Sequence, residues 1–86
     1  MPRSQLTDND RQRGRVLGKL IQSARGPRSA ADVARAAGVS LDTLRKLEQG
    51  AVPTPGFFLV ARIATELDLA LEDVAMAALR FEEGTS

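Results

Sequence analysis

Apolar residues recur at helical rather than strand spacing along most of the chain, in five stripes separated by glycine, proline or small polar residues. Val16, Leu17, Leu20, Ile21 and Ala24 make the first stripe, the i, i+3, i+4 pattern that turns one helix face toward a core. Thr7 answered by Asp10 resembles an N-cap, acidic Asp8 and Asp10 suit the positive end of a helix dipole, and Gly26-Pro27 stops the segment. These signals predict a helix over 8–25, preceded by a flexible arm, 1–6. Gly14 and Gly18 leave two readings open: close approach of another backbone, or exposed glycine tolerated at about 1 kcal/mol each.

Ser29 with Asp32 forms a capping box that heads a helix of about two turns over 29–37, and Gly38 ends it in a left-handed conformation. Ser40 caps a restart over 40–49, with Gly50 as the stop. Thr54 is placed to cap a fourth helix over 55–67, with Pro55 at its first position, where a missing N–H costs nothing. Phe57, Val60, Ile63, Ala64 and Leu67 line its inner face, and Asp68 closes it without a glycine. Leu71, Val74, Ala75, Ala78 and Leu79 trace the last helix, 71–81, before a polar tail, 82–86. No repeat or long linker divides the chain, so one domain over 7–81 is expected.

Composition agrees with the pattern. Alanine and leucine far outnumber valine and isoleucine, and Tyr and Trp are absent, which favours helix over pleated structure. At 86 residues the chain has room for one small core. With no cysteine and no histidine, disulfides, thiolate zinc sites and the commonest general base are excluded. No paired base and nucleophile and no metal cluster is visible, so neither enzymatic activity nor a cofactor is expected. No apolar run approaches the ~20 residues that span a bilayer and no signal-like stretch opens the chain, so a cytoplasmic protein without membrane contact is expected.

Net charge is only +1, but it is unevenly spread. Residues 1–50 carry ten Arg and Lys against five Asp and Glu, whereas residues 51–86 carry two against six. A basic half joined to an acidic half suits a module that meets a polyanion with one face, although solvated surface charge gives the same count. Helix, tight glycine turn and helix is also the unit that lays one helix across a DNA backbone and the next into the major groove.

The run Ser29-x-x-Asp32-Val33-Ala34-x-x-Ala37-Gly38-Val39-Ser40-x-x-Thr43-Leu44-x-Lys46-Leu47-Glu48-x-Gly50, with Pro55 and then Val60-x-x-Ile63-Ala64-x-x-Leu67, resembles the lambda-repressor/Cro-like (XRE) helix-turn-helix regulators over about residues 16–76. The resemblance implies a compact all-α, five-helix DNA-binding domain in which 29–37 positions and 40–49 recognises. Val33, Ala34, Ala37, Val39, Leu44 and Leu47 fall where such helices pack, so Leu41, Asp42, Thr43, Arg45 and Lys46 become the expected base contacts. Arg45 suits guanine, Leu41 and Thr43 a thymine methyl, and Asp42 either cytosine N4 or the orientation of Arg45 or Lys46. Backbone contacts are expected from Arg25, Arg28, Ser29, Ser40, Gln49 and Arg15, with Ser40 mainly a cap and Glu48 a structural partner of a nearby arginine.

The partner implied by this resemblance is double-stranded DNA with a palindromic operator, read by a homodimer whose surface is expected at Leu71, Val74, Met76, Leu79 and Phe81. The implied function is a transcriptional regulator, expected to repress, of bacterial or phage type and associated with the nucleoid; a DNA-binding antitoxin is one form of it. Three positions depart from the family pattern. Ala30 stands for a bracing glutamine, Leu41 for a polar base reader and Ala70 for a capping serine, so no operator sequence can be written. The alternative is a protein-interaction module of the same fold, binding a toxin or polymerase subunit through Glu66, Asp68, Glu72 and Asp73.

Overall fold

The computed structural model describes residues 8–52 and 54–85, with side chains through Leu79. Its five helices are α1 (Asp8–Arg25), α2 (Ala30–Ala37), α3 (Leu41–Glu48), α4 (Phe57–Glu66) and α5 (Leu71–Thr85), and no strand occurs among the described residues. The expected arm and the Thr7 cap lie outside the described residues.

Neither α2 nor α3, at eight residues each, is long enough to hold together in water on its own propensity. They are held by packing. α1 packs on α3 and α5, and α2 packs on α3 and α4. Ile21, Val33, Leu44, Leu47 and Ile63 are fully buried where these elements meet, and no polar residue among the described ones is buried as a whole.

At Gly18 the backbone of α1 closely approaches that of α3. A Cβ built there would lie 2.5 Å from the Leu47 carbonyl oxygen and 2.6 Å from that of Glu48. Of the two readings open for this glycine, close backbone approach is the one realised, because those oxygens belong to the last turn of α3 and cannot swing away as a side chain would.

The helix ends share one mechanism at three places. At Gly38, φ is 77°, the glycine N–H donates to the Arg35 carbonyl at 3.2 Å, and the Val39 N–H donates to that of Ala34 at 2.9 Å. This pair of hydrogen bonds satisfies carbonyls that the helix end would otherwise orphan. Gly50 repeats it with the Leu47 and Lys46 carbonyls. Asp68 repeats it with those of Thr65 and Ala64, at φ 60°, although it carries a side chain.

Two boundaries differ from the sequence expectation by more than one residue. α4 starts at Phe57 with Gly56 as its extended N-cap and no side-chain capping bond, rather than at Pro55 under Thr54. A start at Pro55 would place Gly56 inside the first turn, at about 1 kcal/mol relative to alanine. Glycine is itself a favoured N-cap. α5 continues to Thr85, because Glu82 and Glu83 are good helix formers and nothing before Gly84 interrupts the turn.

Two substitutions test these points in thermal melts. Gly18→Ala is expected to destabilise by about 1–3 kcal/mol through overpacking, lowering Tm by roughly 4–8 °C for each kcal/mol in a domain of this size. Asp68→Gly is expected to raise Tm by about 4 °C, because the left-handed cost of a side chain outweighs the greater unfolded-state entropy of glycine. A Gly18→Ala variant that melts with the wild type would contradict the close approach, and a destabilised Asp68→Gly variant would contradict the strain.

Candidate nucleic-acid interface

Two caps set the geometry of the α2–α3 pair. Ser29 and Ser40 both hold extended backbone before their helices, and each hydroxyl accepts the N–H three residues on, from Asp32 and Thr43, at 3.0 Å. Between the helices lie only Gly38, Val39 and Ser40. A side chain at Gly38 would need φ of 77° and would meet the Arg62 guanidinium at 3.1 Å, so the turn is held by backbone chemistry that few residues can supply.

With Leu44 and Leu47 turned into the core, α3 leaves Asp42, Arg45 and Lys46 on its exposed side, followed by exposed Gln49. Lys46 pairs with Asp42 at 3.1 Å, which is the orienting role open to Asp42. Arg45 has no ion pair among the described residues, so its guanidinium is available to a ligand. Leu41 is half-buried and packs on the core. The Thr43 hydroxyl accepts from Ser40 at 2.7 Å, which leaves its own O–H and its methyl free among the described residues.

Arg25 is turned inward. Its Nε and Nη2 donate to the two Glu48 oxygens at 2.8 and 2.9 Å, and its Nη1 donates to the Arg28 carbonyl at 2.8 Å. Side-chain exposure is 19% for Arg25 and 8% for Glu48. One guanidinium therefore ties the end of α1, the α1–α2 connection and the end of α3 together, and Glu48 raises its pKa above the ordinary arginine value mainly by accepting its hydrogen bonds. The fork geometry matches the planar carboxylate bidentately. Glu48 is thus the structural partner expected of it, and Arg25, expected at the DNA backbone, is held in this pair.

Arg28 bonds Glu66 at 2.9 Å and lies 3.6 Å from Asp32, and Glu66 is the main cause of its raised pKa. That pair also turns one carboxylate of the acidic half toward the protein's own surface. Arg15 donates to Gln12 at 2.9 Å, and its stem lies against Gly50. Between α1, α2 and α3 opens a crevice of about 410 Å³, lined by Gln22, Arg25, Ala30, Arg45, Glu48 and Gln49. It brings Arg45 and Gln49 beside the small Ala30. Gln22 is not legible from sequence as a member of this surface, although it stands one helical turn before Arg25 on α1.

Of the residues expected at a dimer surface, Leu71, Met76 and Leu79 are exposed, while Val74 is buried at 6% exposure. Val74 belongs to the monomer core, because the start of α5 must close over α1 and α4. The Phe81 side chain lies outside the described residues. No described helix is long and apolar enough to cross a membrane, and no described group of three or more acidic residues could hold a metal ion.

Compared with known families, residues 14–78 match a family model described as a helix-turn-helix domain. No curated protein matches the chain.

The Arg25–Glu48 fork generates a double-mutant prediction. Arg25→Ala and Glu48→Ala are each expected to lower stability in urea by about 2–3 kcal/mol, since either leaves a mostly buried charge without its partner. The double variant is expected to lose about 1–2 kcal/mol less than the sum. Strict additivity would show that the two side chains do not depend on each other.

Proposed function

The chain belongs to the helix-turn-helix domain family, and from that membership we propose that it is a sequence-specific double-stranded DNA-binding regulator, of the XRE type, whose α3 reads the major groove. The observation that carries this reading is the exposed row Asp42, Arg45, Lys46 and Gln49 on a short helix clamped from behind, with Arg45 unpaired among the described residues. Arg45 takes guanine bidentately, Lys46 and Asp42 act as a pair on the neighbouring base, and Leu41 and Thr43 offer apolar contact to a thymine methyl.

Backbone phosphates are met by the start of α2 with Ser29 and Arg28, and by Ser40, Gln49 and Arg15 at the edges. Two copies acting through α5, with Leu71, Met76 and Leu79 exposed on it, read a palindrome whose half-sites lie about 34–36 Å apart. Occupying such an operator represses transcription by exclusion, whether for the chain's own promoter, as an antitoxin would, or for another.

Arg45→Ala tests the assignment. On a duplex selected from a random pool, binding is expected to weaken by about 10–100-fold, with sequence preference relaxed at one position and the salt dependence nearly unchanged. The melting temperature is expected to hold, because Arg45 makes no internal bond among the described residues. Unaltered affinity and preference would remove α3 as the reading element.

A further inference from the structure

Away from α3, an exposed aromatic pair opens α4. Phe57 and Phe58 are 64% and 75% exposed, and their rings meet edge to face at 5.3 Å. Beside them runs an apolar groove of about 330 Å³ between α1, α4 and α5, lined by Leu17, Val60, Leu71, Ala75 and Ala78 with Phe57 at its rim. Ala75 and Ala78, one turn apart, keep the groove open where larger residues would fill it. An exposed aromatic pair next to an apolar groove marks an interaction site rather than ordinary surface.

We propose that the groove seats Phe58 of a second copy of this chain, in a two-fold contact in which Arg62 of each copy meets Glu72 and Asp73 of the other. This deepens the homodimer reading above and rests on it. Two features select a second copy as the occupant. The first is closure. Phe57 lines the groove and touches Phe58, so knob and socket are neighbours on one molecule, and an axis passing between them lets both contacts form at once, as an isologous interface requires.

The second feature is charge. Arg62 stands one turn after Phe58 on the same face of α4 and has no ion pair among the described residues. Glu72 and Asp73 are exposed in the first turn of α5, flanking Leu71 at the groove, and they too are unpaired among the described residues. The chain thus carries both halves of a complementary pair beside its own knob and socket. Complementary charge around an apolar anchor fixes register and excludes other partners.

Sedimentation equilibrium of the full chain tests this, with circular-dichroism melts to confirm folding. The wild type is expected to dimerise. Phe58→Ser is expected to raise the dimer Kd by about 30-fold or more, as loss of a central anchor does. Arg62→Glu is expected to weaken the dimer, and adding Glu72→Arg and Asp73→Arg to it is expected to restore the association. A dimer indifferent to Phe58→Ser, or a charge swap that fails to restore what Arg62→Glu lost, overturns this seat and leaves dimerisation standing. A wild type that sediments as a monomer at every concentration overturns the seat and the homodimer reading together.

Discussion

Everything presented to the solvent by α3 depends on how α1 holds it from behind. Two contacts do this at the same end of the helix: the backbone of Gly18 against the Leu47 and Glu48 carbonyls, and the Arg25 fork on the Glu48 carboxylate. The first is possible only without a side chain. The second adds direction, since a bidentate pair fixes two planes where an apolar contact fixes only a distance. Because the third nitrogen of Arg25 holds the Arg28 carbonyl, the same residue also sets where α2 begins. An eight-residue helix with little stability of its own is in this way given one orientation relative to its neighbour.

That arrangement sorts the cations by task. The basic half of the chain looks uniform in sequence, but Arg25 and Arg28 are committed to Glu48 and Glu66, and Arg35 bonds Asp32 at 2.7 Å. Among the described residues Arg45 is not committed in this way, and Lys46 is held by an exposed partner, Asp42. Surface pairs of that kind contribute little to stability and exchange readily for a phosphate or a base edge. Sequence reading alone does not separate the cations paired within the fold from those left without an ion pair among the described residues.

The five helices are legible in the sequence because their apolar stripes, serine caps and terminal glycines all point the same way, and agreement between levels marks a sequence that specifies its fold. The start of α4 is not, because Thr54-Pro55 carries a valid cap signature, while Gly56, two residues on, can cap without a side chain. The role of Gly18 stays open at that level because spacing alone does not say which backbone passes behind a glycine. Glu48 is recognisable as structural from its place beside the packed Leu47, but its partner, 23 residues earlier, is a property of the folded chain. Gln22 shows the same limit: a polar residue on an amphipathic helix acquires a place at a surface only when the neighbouring helices are set around it.

As proposed, α3, held by α1 and turned outward by its caps, reads base sequence. The most direct measurement is selection of sites by the purified protein from a randomised duplex pool at moderate salt, followed by a salt titration on the winning duplex. A palindromic winner is expected, with half-sites about one helical turn apart and affinity falling steeply and linearly in log–log form as salt rises. Enrichment of no sequence, with only weak binding that salt abolishes, would contradict it.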